Sequence, residues 1–175
     1  MSTKGAVRPR LRGVNLGGWL VLEKWMTPNV FEGTDAEDEF SLSLSEAGRR
    51  AIERHHRTFI GEEDFAWLHA QGINSIRIPV GYWIFGDSPP YTASITQLDR
   101  AFVLARKYNL QILICMHAAR GSQNGAAHSG QIGQIDWYNS SAHRDQTLDV
   151  LGRLVERYQD QPQFWGIELL NEPRL

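Results

Sequence analysis

The chain has 175 residues, a formal net charge of −2 and a single cysteine, Cys115. That is length for one ordinary domain with a sizeable core, with no basic footprint for nucleic acid and no disulfide framework or cysteine-based metal site. No apolar run approaches the ~20 residues of a membrane-spanning helix. The N-terminus lacks the apolar stretch of a secretory signal, which points to a cytoplasmic chain or to a mature form whose signal has been removed.

Taken in order, residues 1–10 are polar and expected to fray, with Lys4, Arg8, Arg10 and Arg12 reading as a solvated basic end. Residues 11–15 open the fold, and Gly13, Gly17 and Gly18 permit close backbone approach. Residues 19–25 (W-L-V-L-E-K-W) are apolar with Glu23 embedded, residues 27–29 begin a turn, and 34–40 form an acidic loop. A helix is predicted over 45–59, with Ser45 as its N-cap and Ala47, Ala51, Ile52 and Phe59 as its apolar positions. His55 and His56 on that helix have no metal-ligand spacing and read as surface or rim residues. Glu62, Glu63 and Asp64 suit the first turn of a second helix, which Gly72 ends. A strand follows over 73–80 with Arg77 near its end, then an aromatic loop, a helix over 95–108 and an apolar strand over 110–116 with His117 at its tip. Residues 118–142 make a polar loop longer than a connection requires. A helix over 144–158 leads to the last predicted strand, 164–173 (F-W-G-I-E-L-L-N-E-P), which Pro173 stops and which delivers Asn171 and Glu172 to its tip.

Strands alternating with helices argue for an α/β fold with a parallel sheet and right-handed crossovers. No glycine-rich phosphate loop follows any strand, and no G-x-S-x-G string supports a serine hydrolase. Polar groups gather instead at the strand C-termini, where parallel α/β sheets carry their chemistry. Glu172 is the candidate general acid/base, against a capping or salt-bridged glutamate. Asn171 either binds a substrate hydroxyl or caps a turn. Arg77, in an apolar strand, must be paired; it orients a carboxylate or makes a structural ion pair. His117 is a ligand-side or a satisfied core histidine, and Glu23 contacts a ligand or pairs with Lys24 or an arginine.

These strings together resemble glycoside hydrolase family 5, most closely its exo-β-1,3-glucanase branch. The matching pieces are 12–23 (R-G-V-N-L-G-G-W-L-V-L-E), Met26-Thr27-Pro28, Phe31-Glu32, 76–85 (I-R-I-P-V-G-Y-W-I-F), 121–125 (G-S-Q-N-G) and 167–173 (I-E-L-L-N-E-P), in the family's order and over nearly the whole chain. The resemblance implies a TIM (β/α)8 barrel, of which this chain holds the first four βα units. Residues 1–10 would be a flexible tail, and 11–175 the N-terminal half of the barrel. It further implies a retaining glycosidase acting on β-glucan or a β-glucoside, with no metal or organic cofactor. Glu172 matches the acid/base, Asn171 the binder of the sugar 2-hydroxyl, Arg77 and His117 the residues around the −1 subsite, and Glu23 the glutamate that grips the terminal glucose. Extracellular action is compatible with the same resemblance.

Three departures accompany it. The family nucleophile sits on a seventh strand, so none is expected within these residues. Ala126, Ala127 and His128 stand where the branch has a phenylalanine and polar residues on the +1 side. Cys115-Met116-His117 and Ala119-Arg120 replace D-L-H and A-P. Half a barrel would expose two strand edges and an apolar inner face, to be covered by a missing C-terminal half or by self-association. The alternative reading is an inactive sugar-binding or interaction remnant. Another barrel chemistry would apply if Arg77, His117 and Glu172 failed to converge on one cleft.

Overall fold

The computed structural model describes residues 10–174; the expected tail, save Arg10, lies outside them. Four strands run in the order β1-β2-β3-β4 in one sheet: β1 Gly13–Asn15, β2 Ser75–Gly81, β3 Gln111–Ala118 and β4 Phe164–Glu168. All neighbouring pairs are parallel. The helices are α1 Glu39–Ser43, α2 Glu46–Thr58, α3 Glu62–Ala70, α4 Ile95–Lys107 and α5 Ser141–Tyr158. Sequential parallel strands joined through helices are the arrangement expected for the first four βα units of a barrel.

Register sorts the side chains. Ile76 lies opposite Ile112, Ile78 opposite Ile114 and Val80 opposite Met116, and all six are buried on the side where Leu98, Ala101, Ala105, Leu151 and Leu154 pack. Burying one such aliphatic side chain contributes about 1.5–3 kcal/mol, so this face accounts for the order of the layers. Phe102 of α4 stacks on Tyr158 of α5 with ring centroids 4.1 Å apart, and the Tyr158 hydroxyl donates to Asp99 at 2.8 Å.

Residues one position out of phase face the other way. Asn15, Ser75, Arg77, Leu113, Cys115 and Glu168 lie on that inner side by register. A hollow of about 280 Å³ opens there beside Asn15, Arg77, Leu113 and Trp165. The inner face is therefore mixed rather than apolar as expected, because its upper layer carries an ion pair instead of aliphatic groups.

The helix limits agree with their caps. Ser45 accepts from the Gly48 amide, and Gly72 adopts φ +76° after α3, a left-handed conformation that costs glycine little. Two boundaries differ from expectation. Strand β4 ends at Glu168, short of Asn171 and Glu172. Beyond it Leu169 points outward, the Asn171 amide returns to Met116 O at 2.8 Å, and Glu172 takes φ +44°. The apolar run thus continues past the strand's own pairing. In addition, residues expected as acidic loop open α1, with Asp38 as an N-cap bonded to the Ser41 amide.

His55 and His56 are not surface residues; both are buried. His55 Nε2 donates to Gly18 O at 2.7 Å, and Trp19 Nε1 donates to His56 O at 2.9 Å. This fastens α2 to the turn after β1. Burial, with His55 adding to it, pushes the His56 imidazole down to about 3. On α1, Glu39 is fully buried, its carboxyl Oε2 accepting from the Leu22 amide at 2.7 Å. Burial pushes its carboxyl up to about 8, against that hydrogen bond.

These shifts act on stability in opposite directions. The neutral His56 contributes stability that is lost as pH falls from 6.5 towards about 3. Glu39 holds its proton in the fold, so its contribution is complete below 4.5 and lost as pH rises to about 8. Between pH 6.5 and 8 Glu39 alone of the two operates. Unfolding free energy is expected to fall by about 2 kcal/mol across that window, at 1.36 kcal/mol per pH unit. Glu39→Gln should flatten this limb in denaturant titrations at a series of pH values; an unchanged slope contradicts the assignment.

Candidate active site

The site is built at the C-terminal ends of β2, β3 and β4. Its centre is Arg77. The Arg77 Nε donates to Glu168 Oε2 at 2.7 Å and Nη2 donates to Oε1 at 2.8 Å, a two-point pairing that a planar guanidinium and a carboxylate make well. Nη2 also donates to Asn171 Oδ1 and to Cys115 Sγ, both at 2.9 Å, and Nη1 donates to Asn15 Oδ1 at 2.9 Å. One side chain thus ties together all four strands. The Glu168 hydrogen bonds hold the guanidinium above its ordinary range and the carboxyl below its own. Glu168 escaped the sequence reading. The available signal was a lone carboxylate in an apolar strand of a chain that also carries a lone arginine in another.

His117 is buried, and burial, then the Arg77 cation, pushes its imidazole down to about 3. Its Nδ1 lies 3.5 Å from Cys115 Sγ, and burial pushes that thiol upward. His117 Nε2 is 3.9 Å from Glu23 Oε1. With a neutral imidazole this is a polar approach rather than an ion pair. Glu23 does not pair with Lys24, which binds Glu37 at 2.6 Å instead. Glu23 Oε2 accepts from Trp25 Nε1 at 2.9 Å, and the Glu23 carbonyl accepts from the Met26 and Thr27 amides.

The loop after β3 holds the turn after β4. Gln123 is wholly buried and fully engaged. Its Nε2 donates to His117 O at 2.8 Å and to Asn171 O at 2.9 Å, and its Oε1 accepts from the Ala119 amide. Asn124 Nδ2 donates to Glu172 O at 3.1 Å. Glu172 projects a half-exposed carboxyl whose Oε2 lies 3.4 Å from His128 Nε2, and the His128 ring centroid is 5.4 Å from that of His117. Glu23, Arg77, His117, Asn171 and Glu172 therefore converge on one patch, with Asn15, Gln123, Asn124, His128 and Glu168 as partners unassigned by sequence reasoning. Among the described residues no group of three His, Cys, Asp or Glu is placed to hold a metal ion. No described helix is long and apolar enough to cross a membrane.

The Arg77–Glu168 pair is testable through stability. Both side chains are mostly buried, and a hydrogen bond to a charged group is worth about 1.5–3 kcal/mol. Arg77→Lys and Glu168→Gln should each destabilise by roughly that amount in urea titrations. The double substitution should cost clearly less than their sum, whereas simple additivity would show the pair to be uncoupled.

Residues 38–175 match the family model "Cellulase (glycosyl hydrolase family 5)". A probable glucan 1,3-beta-glucosidase A of Emericella nidulans is 43% identical over 176 residues, covering 95% of this chain and 43% of the relative. A glucan 1,3-beta-glucosidase of Blumeria graminis is 43% identical over 175 residues, covering 94% of this chain and 41% of the relative. The crystal structure of a rutinosidase from Aspergillus niger superposes with a TM-score of 0.83 at 27% identity, covering 93% of this chain and 48% of that one. The chain thus spans about two fifths of the length of these curated relatives and about half of the solved rutinosidase. It belongs to glycosyl hydrolase family 5, and its four βα units are half of that family's barrel.

Proposed function

We propose that this family 5 chain supplies the acid/base half of a retaining glycosidase site that cleaves β-glucosidic bonds of a β-1,3-glucan or a smaller β-glucoside. The observation that carries the reading is the convergence of Glu23, Arg77, His117, Asn171 and Glu172 at the C-terminal ends of neighbouring parallel strands, joined through contacts of Arg77 and His128. The glucan 1,3-beta-glucosidase relatives support the choice of substrate class.

Each group has chemistry suited to its role. Asn171 commits Oδ1 to Arg77, which turns its NH2 outward to donate to a sugar 2-hydroxyl. Arg77, with Nε and Nη2 committed to Glu168, Cys115 and Asn171, orients that amide. Glu23 and His117 offer an acceptor and a neutral imidazole side by side for the hydroxyls of a terminal glucose. Glu172, exposed at the rim, gives its proton to the leaving glycosidic oxygen as the C–O bond breaks. The resulting carboxylate then takes a proton from the water that releases the sugar. The displacing carboxylate must stand about 5–5.5 Å from Glu172 in a retaining enzyme. Glu168 is bound up with Arg77 and is unsuited to that part, so the nucleophile belongs to strands beyond these four. The outer edges of β1 and β4 are the seams at which such strands close the barrel.

Glu172→Gln in the natural polypeptide is expected to lower kcat on an unactivated β-glucoside by about 10²–10⁴-fold. Undiminished turnover sinks the assignment. The engagement of Glu168 with Arg77 and of Glu23 with Trp25 also favours a second reading, a sugar-binding module. Saturable laminari-oligosaccharide binding by calorimetry, without turnover even of activated aryl glucosides, would select it.

A further inference from the structure

Glu23 is set in place by the turn that follows it. The Met26 and Thr27 amides donate to the Glu23 carbonyl at 2.9 and 3.0 Å, and Thr27 Oγ1 donates to it at 3.2 Å. Lys24 Nζ reaches across to Ala36 O at 2.9 Å. Met26 packs over Gly17 and Gly18, where an added Cβ would come within 3.0 and 3.2 Å of its side chain. The backbone that carries Trp25 is therefore held on both sides of that residue.

Trp25 uses little of its ring for packing. It is 77% exposed, more than any other large hydrophobic residue described. Its indole edge turns back over the turn, and Nε1 donates to Glu23 Oε2 at 2.9 Å. An indole has one donor and no acceptor, so this contact has one sense, N–H into carboxyl oxygen. It fixes the rotation of a carboxyl that is itself nearly enclosed, the Glu23 side chain being 12% exposed beside His117 at 8%. With Oε2 held, Oε1 stands 3.9 Å from His117 Nε2. One hydroxyl oxygen in that gap can lie about 2.8 Å from both atoms.

We propose that Trp25 is a positioning residue for Glu23: its indole N–H locks the carboxyl so that Oε1 and His117 Nε2 together hold one hydroxyl of the terminal glucose. The inference rests on Glu23 and His117 gripping that sugar. It goes beyond that reading by assigning the selectivity for one hydroxyl to an exposed side chain that packs against little else.

The test uses the natural polypeptide and compares kcat/KM on 4-nitrophenyl β-glucoside with that on its 3-, 4- and 6-deoxy counterparts. Wild type should lose about tenfold or more on the one that lacks the gripped hydroxyl. Trp25→Phe keeps an aromatic ring without the N–H. It should fall about tenfold on the parent glucoside and lose much less further on that same deoxy compound. Benzothienylalanine at position 25, an isostere of tryptophan without the N–H, should do the same, and it serves where phenylalanine disturbs the turn. In ¹H–¹⁵N spectra the Trp25 indole resonance, identified by its absence from Trp25→Phe, should exchange slowly with solvent and lose that protection in Glu23→Ala. Deoxy selectivity equal to wild type in folded Trp25→Phe, or an indole N–H that exchanges alike in wild type and Glu23→Ala, overturns the proposal. Glu23→Ala assayed alongside separates the two levels. If it abolishes the deoxy selectivity and Trp25→Phe does not, only the positioning role falls. If wild type loses on none of the three compounds, or Glu23→Ala keeps the loss, Glu23 grips no hydroxyl and that assignment falls with the inference.

Discussion

A guanidinium in a sheet interior has to be satisfied, and most of what surrounds this site follows from how Arg77 is. Its donors reach Asn15 on β1, Cys115 on β3, Glu168 on β4 and Asn171 just past it. A charged group this enclosed is tolerable only with such partners. The same partners fix the relative heights of the four strands at the end where the chemistry is read. The ion pair is thus best seen as a device of register. It sets Asn171 in orientation, keeps His117 neutral together with burial, and excludes Glu168 from serving as a free carboxylate.

Around that centre the loops are held by backbone-directed side chains as well as by hydrophobic packing. Gln123 bridges the ends of β3 and β4 with every polar atom used. The short helix α1 clamps two walls at once: Glu39 binds the Leu22 amide beside Glu23, while Asp38 binds the Ile132 amide in the loop that bears His128. The buried Glu39 carboxyl and the Asp38 N-cap, adjacent in sequence, therefore link the stretch beside Glu23 to the loop beside Glu172.

Much of this was legible in the sequence where local rules govern. Ser45 and Gly72 marked helix ends by capping chemistry, and the Ile/Val alternation of β2 and the apolar run of β3 announced buried parallel strands. Arg77 announced itself by being charged in such a strand. What stayed hidden depends on pairing across long separations. The carboxylate of Glu168 reaches Arg77 across 91 positions, and only the register reveals it. The end of β4 was overextended because Leu169 and Leu170 continue the apolar run after pairing has ceased. His55 and His56 read as surface or rim for want of metal-ligand spacing, although Ile52, His55, His56 and Phe59 share the spacing of one helix face. His128 was visible only as a departure from a family pattern, since its approach to Glu172 joins residues far apart in the chain.

The central claim is that this end of the four-stranded sheet holds a sugar with Asn171 on its 2-hydroxyl side and Glu172 on its leaving-group side. The most direct measurement is a crystal structure of the natural polypeptide with a bound glucose-derived inhibitor. The account predicts a ring seated over Arg77, with the 2-hydroxyl within about 3 Å of the Asn171 amide nitrogen, other hydroxyls on Glu23 and His117, and the Glu172 carboxyl at the anomeric oxygen. A sugar bound elsewhere, or one that leaves Asn171 and Glu172 without contact, would contradict it.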